Sequence, residues 1–157
     1  MSLSVSDAAG LPSARLLFGE ERHTLTGVTN DTRDADLQGK LYVAIRGERQ
    51  DGHAFLEQAA ERGAGCVLIE PAGSQPARRL FETGKLSAAV VVPDTIRALG
   101  ELARRHRAKL SLKIVAVTGS NGKTSTKDFL AAILSTAYRT EAAVRSFNNA
   151  IGVPMTL

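Results

Sequence analysis

Lys123 and Thr124, preceded by Gly119-Ser120-Asn121-Gly122, are the residues of this 157-residue chain whose types and spacing point most directly to chemistry. Glycines at both ends of a tight turn let backbone N–H groups approach an anion with no Cβ in the way. The lysine that follows adds a mobile point charge, and the threonine hydroxyl suits a hard divalent cation. Together they describe a cradle for the phosphates of ATP. Lys123 reaches the β- and γ-phosphates as the catalytic cation, and Thr124 is a ligand for Mg²⁺. Ser120 and Asn121 complete the loop. Ser125 is either a residue of the helix start or a donor to the α-phosphate.

Such a cradle works only between a strand and the N-terminus of a helix, where the dipole favours negative charge. Ile114-Val115-Ala116-Val117, apolar and mostly β-branched, predicts the strand. Phe129, Ile133 and Ala137 on one stripe, with Leu130 and Leu134 beside it, predict the helix. One departure narrows the motif. The common pattern G-x-x-x-x-G-K-[ST] asks for a first glycine where this chain has Val117.

Ahead of this unit, the alternation of strands and helices predicts an α/β fold. Strands are expected over 25–28, 41–45, 66–69 and 88–92, and helices over 53–62 and from an Asp94 cap to Lys109. Residues 1–12 read as a frayed start, and residues 72–86 as irregular with a short helix near 78–82. His106 falls on the apolar stripe of the last helix, where a packed histidine is the ordinary outcome. Behind the ATP loop, a strand is expected over 140–144 and a helix start over 152–157. The resulting division is a small first domain over 1–110 and, from the joint at 111–113, the beginning of a P-loop domain over 111–157. A P-loop needs more strands around it, and a second acidic Mg²⁺ ligand normally comes from a later strand. The expectation is therefore a piece of a longer enzyme, inactive alone.

Composition narrows the classes. Hydrophobic residues make up 43% and charged residues 23%, an ordinary globular balance, and no apolar run is long enough to span a bilayer. Residues 1–12 have neither a basic start nor an apolar stretch, so export is not expected. The single cysteine, Cys66, sits inside a predicted strand and reads as a small buried hydrophobe. These features fit a cytoplasmic protein. The net charge of +4 raises nucleic acid as a partner, but the basic residues are scattered apart from Arg104 to Lys109 at a helix end. Aromatic residues amount to 4% with no Trp, so stacking platforms for bases are not evident.

Val117-Thr118-Gly119-Ser120-Asn121-Gly122-Lys123-Thr124 resembles the T-G-[ST]-N-G-K-T loop of the ATP-dependent Mur ligases of peptidoglycan synthesis, which also lacks the first glycine. The front part sharpens the likeness. Asp31-Thr32-Arg33, Gly39-Lys40-Leu41-Tyr42-Val43-Ala44 and Gly47 through Phe55 resemble the uridine-nucleotide domain of that family. Asn148-Asn149-Ala150-Ile151-Gly152-Val153-Pro154 is similar to the N-N-x-x-G-x-P segment of its branch that uses D-alanyl-D-alanine.

The resemblance implies a monomeric ligase that joins D-alanyl-D-alanine to UDP-N-acetylmuramoyl-tripeptide through an acyl phosphate, with ATP and Mg²⁺. It makes Asp31, Thr32 and Arg33 candidates for contact with the uridine diphosphate, against a plain Asx-type turn with a surface arginine. Asn148 and Asn149 are candidates to line the cleft, or else satisfy loop backbone groups; Arg46 and Lys40 are further phosphate candidates. The sister ligase that adds diaminopimelate or lysine shares most of these motifs. A non-catalytic P-loop nucleotide-binding module is the alternative of a different class.

Overall fold

The structure, a computed structural model, describes residues 3–48, 50–143 and 150–156. Its centre is a five-stranded sheet of β2 (Arg15–Phe18), β4 (Val28–Thr29), β5 (Leu41–Val43), β6 (Cys66–Ile69) and β7 (Ala88–Val91), in the spatial order β2-β7-β6-β5-β4. The four strands β4 to β7 run parallel, and β2 closes one edge antiparallel to β7. β1 (Leu3–Ser4) and β3 (Thr24–Leu25) form a separate antiparallel pair. The helices are α1 (Val5–Ala9), α2 (Leu56–Glu61), α3 (Ser74–Glu82), α4 (Thr95–Lys109), α5 (Lys123–Leu134) and α6 (Gly152–Thr156), with short 3₁₀ turns at Gly52–Phe55 and Pro71–Gly73.

Strands buried on both faces need helices on both faces. On one side, Leu41, Val43, Cys66, Leu68, Ala88 and Val90 pack against α1 through Val5 and Ala8 and against α4 through Ala98, Leu99 and Leu102. On the other, Tyr42, Val67, Ile69, Ala89 and Val91 pack against Leu56, Ala59 and Ala60 of α2 and Ala77 and Leu80 of α3. This three-layer α/β arrangement is the expected fold class. Cys66 is fully buried as foreseen, and loss of solvent pushes its thiol up to about 12, so it stays protonated.

Several elements depart from the sequence reading. The start of the chain is not frayed from Leu3 onward: Asp7 accepts hydrogen bonds from the backbone N–H and hydroxyl of Ser4, capping α1. Lys109 pairs with Asp7 at 2.5 Å and Arg105 donates to the Gly10 carbonyl, so the end of α4 holds α1 in place. A five-residue helix carries too little periodicity to be seen, and tertiary contact makes it. β2, over which the sequence places no element, is a half-exposed edge strand without clean alternation. α3 spans nine residues where a shorter helix was expected. α4 matches closely, with Asp94 accepting from the Arg97 N–H as its cap at 3.0 Å.

The larger correction concerns the P-loop unit. Residues 114–117 and 140–143 form no strand. Ile114 and Val115 are exposed, and among the described residues they have no ladder partner. A strand is a pairing, and β-branched composition alone produces only an extended backbone. α5 does form, but it ends at Leu134, short of Ala137, and its stripe faces solvent, with Phe129 71% and Ile133 65% exposed. After it, Ile151 and Met155 pack back onto the core beside α4.

These two environments predict opposite sensitivities in urea unfolding. Leu68→Ala, in the doubly covered strand, should lower stability by about 2–5 kcal/mol. Phe129→Ala should stay within about 0.5 kcal/mol of the parent.

Candidate functional site

Two groups of residues stand out, one at the start of α5 and one at the edge of the sheet. In the first, Gly122 caps α5 in the left-handed conformation (φ 75°), and Gly119 has φ 149°. Side-chain-bearing residues adopt neither without strain, and a Cβ at Gly122 would enter open space rather than protein. The turn therefore leaves room in front of the first N–H groups of a 12-residue helix. Ser120, Asn121, Thr124 and Ser125 are exposed on its rim, and Lys123 is half-buried. The Lys123 ammonium donates to the carbonyls of Gly119 and Ser120, curling back over the loop. An open turn with a lysine poised above it fits a polyphosphate. The Thr124 hydroxyl at the first turn fits a hydrated Mg²⁺, which keeps most of its waters and takes few protein ligands.

The second group forms because β4 to β7 are parallel, so their C-terminal ends open on one edge, where α/β sheets bind ligands. Asp31, Thr32 and Arg33 follow β4 there. Arg33 grips Asp31 through Nε at 2.9 Å and a terminal nitrogen at 2.7 Å, and its own N–H bonds the Asp31 carboxylate. The turn is thus closed by Asp31, as an Asx-type turn would be, while the arginine side chain remains 86% exposed. Thr32 is buried and its hydroxyl donates to Gln58 Oε1 at 2.7 Å, so it anchors the turn to α2. Arg62 completes the anchor by donating to the carbonyls of Thr32 and Asp34. The structure therefore separates the three residues into an exposed ion pair and a buried tether. Asn148 and Asn149 lie outside the described residues.

Beyond β5 the loop to Asp51 closes on itself, with an Arg46–Asp51 bridge and a 2.9 Å bond from the Gly47 N–H to the Gln50 carbonyl. Tyr42 donates its hydroxyl to the Gly52 carbonyl at 3.0 Å, and Thr95 at the start of α4 donates to the Ala44 carbonyl at 3.0 Å. Burial, with the carboxylates of Asp31 and Asp51 nearby, pushes the Tyr42 phenol up to about 12, so it remains a donor. Asp51 accepts the His53 backbone N–H and the His53 ring, and these bonds hold its carboxyl below the usual carboxylate range. Asp51 thereby caps the 3₁₀ turn Gly52–Phe55. His53 was missed; the only signal was a lone histidine two residues after a capping aspartate.

The basic run at the end of α4 is engaged within the chain. Besides the ties to α1, Arg107 donates to the carbonyls of Leu110 and Leu112, stiffening the joint ahead of the P-loop. His106 is half-buried.

With this geometry in hand, comparison with known proteins is decisive about kinship. Residues 24–107, more than half of the chain, match the family model described as "Mur ligase family, catalytic domain", and residues 117–157 match "Mur ligase middle domain". The chain belongs to the Mur ligase family. It is 40% identical over 137 residues to the UDP-N-acetylmuramoyl-tripeptide–D-alanyl-D-alanine ligase of Bacillus subtilis, an alignment covering 87% of this chain and 28% of that protein. It is 45% identical over 134 residues to the Escherichia coli ligase of the same name, covering 85% and 27% respectively. Among solved structures it is similar to MurF from Acinetobacter baumannii, with TM-score 0.79 and 28% identity over 99% of this chain and 32% of that one. A MurF ligase from Thermotoga maritima in complex with ADP also matches, with TM-score 0.62 and 26% identity over 82% of this chain and 28% of that one. This Mur ligase chain thus spans roughly a quarter to a third of the length of its relatives.

Asp51 gives up its proton more readily in the folded chain than in the unfolded one, so its stabilisation is present at neutral pH. That contribution should fade as pH falls below about 4, the ordinary carboxylate value. Urea unfolding from about pH 7 down to about pH 3 should therefore show a steeper acid loss in the parent than in Asp51→Asn.

Proposed function

We propose that this chain supplies the uridine-nucleotide unit and the P-loop of an ATP-dependent amide ligase. In this reading the ligase joins D-alanyl-D-alanine to UDP-N-acetylmuramoyl-tripeptide in cytoplasmic peptidoglycan precursor synthesis and works as a monomer. The observation that carries the reading is the left-handed Gly122 opening the N-terminus of α5 to solvent beside Lys123 and Thr124. It occurs in a chain whose relatives at 40% and 45% identity bear the name of that ligase. The division of labour follows the composition of the two parts: residues 1–110 form the substrate-nucleotide domain and residues 111–157 begin the ATP domain.

Within that division each residue has a physical task. The backbone N–H groups of Gly119 to Gly122 donate to phosphate oxygens, and the helix dipole of α5 adds partial positive charge. Lys123 exchanges the carbonyls of Gly119 and Ser120 for the β- and γ-phosphates, placing a full charge where negative charge builds in phosphoryl transfer. Thr124 is the residue that would hold Mg²⁺ through its hydroxyl, and Ser125 the one that would donate to the α-phosphate. ATP supplies the phosphoryl group that activates the tripeptide carboxylate for attack by the dipeptide amine. At the sheet edge the Asp31–Arg33 pair faces the uridine diphosphate, with Thr32 fixing the turn from below. Asn148 and Asn149 are assigned to the cleft on the strength of the sequence motif alone.

The test is phosphate release by a protein carrying this chain at the full length of its relatives, supplied with Mg-ATP and the UDP-linked tripeptide. Release that requires D-alanyl-D-alanine supports the assignment. Release that instead requires a diamino acid on the shorter precursor transfers the chain to the sister branch, whose Syntrophomonas wolfei member is 37% identical over 130 residues. No release with either set of substrates would sink the ligase reading. Lys123→Ala in that protein should lower kcat by roughly 10²–10³-fold while leaving the affinity for the UDP-linked substrate nearly unchanged.

A further inference from the structure

His53 has the most constrained hydrogen bonding at the sheet edge. Its side chain is 8% exposed and packs against Gly73. Its Nε2 lies 2.9 Å from the backbone nitrogen of Glu70, just beyond β6. A backbone N–H only donates, so Nε2 carries a lone pair and the ring proton sits on Nδ1. Nδ1 stands 2.6 Å from Asp51 Oδ1 and donates to it. The other Asp51 oxygen accepts from Arg46 Nε at 3.2 Å. One chain of bonds therefore runs from the end of β6, through a neutral imidazole and a carboxylate, to the arginine that follows β5. A protonated ring would set Nε2–H against the Glu70 N–H, so the arrangement belongs to the neutral tautomer. Among the described residues, the hydrogen bonds set the Asp51 carboxylate against the ring, with Arg46 and Tyr42 beyond Asp51, while Glu70 meets the ring through its backbone N–H.

The two arginines at this edge differ in what they have left to offer. Arg33 places both Nε and a terminal nitrogen on Asp31. Arg46 commits only Nε, its side chain is 56% exposed, and among the described residues its two terminal nitrogens have no hydrogen-bond partner. A guanidinium held at one corner with its outer nitrogens free is pre-oriented for phosphate oxygens.

We propose that His53 is a positioning residue that fixes Asp51, and through it the guanidinium of Arg46, so that Arg46 meets the diphosphate of a uridine nucleotide bound at the sheet edge. The inference deepens the reading of this edge as the uridine-nucleotide site and rests on it. Its energetic content is pre-organisation: without the imidazole, Asp51 keeps the His53 backbone N–H but loses the ring donor on the same oxygen, and more of the ordering of Arg46 falls to the ligand itself.

Calorimetric titration of UDP into the chain, with uridine as the second probe, tests this directly. His53→Ala and Arg46→Ala should each weaken UDP binding by about tenfold, the scale of one charged hydrogen-bonding partner. Both should leave uridine affinity unchanged, since the nucleoside lacks the diphosphate. The double variant should bind UDP no more weakly than Arg46→Ala alone, because the histidine acts through the arginine. His53→Gln, which retains an acceptor for Glu70 and a donor for Asp51, should recover most of the loss. Unchanged UDP affinity in His53→Ala, or additive losses in the double variant, would overturn the inference and leave the site reading standing. Equal loss of UDP and uridine binding would reduce His53 to a structural residue. A parent chain that binds no UDP would remove the site reading and the inference together.

Discussion

The organising constraint in this protein is that β5 and β6 are buried on both faces and paired on both sides. Parallel strands cannot be joined by tight turns, so each pair needs a longer crossover: α2 carries the chain from β5 to β6, α3 from β6 to β7, and the loop over 30–40 from β4 to β5. Two consequences follow without further choice. Helices cover both faces, and every loop leaving the C-terminal end of a parallel strand opens on the same edge. Asp31 after β4, Arg46 and Asp51 after β5, and Glu70 after β6 are neighbours for that reason, although as many as 39 positions separate them in the chain (from Asp31 to Glu70).

That edge is built with few loose groups. Backbone carbonyls at the strand ends are taken up by side chains from other elements: Ala44 by Thr95, Gly52 by Tyr42, Thr32 by Arg62. Buried polar groups are costly when unpaired, so these tethers stiffen the loops while leaving the guanidinium groups of Arg33 and Arg46 facing outward. The P-loop unit contrasts with it. Its helix and turn are formed by local rules of glycine conformation and helix capping, yet Phe129, Ile133, Ile114 and Val115 lie exposed. The open glycine turn and helix start are present there without the packed sheet that surrounds the strand-end edge.

Much of the fold was legible in sequence where a single physical signal dominated. Buried runs such as Cys66–Ile69 and Ala88–Val91 read as strands because few other elements are so uniformly apolar over so few residues. α4 was delimited by its Asp94 cap and its periodicity. The failures share a cause. α1, β2 and the lengthened α3 depend on what packs against them, and residues 114–117 needed a partner strand that composition cannot announce. Of the site, the glycine-lysine-threonine loop was readable because its chemistry lies in consecutive residues. The Glu70–His53–Asp51–Arg46 chain was not, because hydrogen bonds that cross between strand ends leave no spacing pattern.

What the sequence determined by itself was therefore the alternating α/β plan, the glycine-lysine-threonine turn ahead of α5 and the resemblance to a ligase family, all of which rest on local spacing and contiguous motifs. Only the tertiary structure decided that Thr32 ties its turn to α2, that Arg33 lays two nitrogens on Asp31 while Arg46, among the described residues, lays only Nε on Asp51, and that a buried histidine bridges Glu70 and Asp51. The physical reason is that burial and hydrogen-bond partnership are properties of pairs distant in the chain, and those pairs exist only once the parallel strands have brought their ends together.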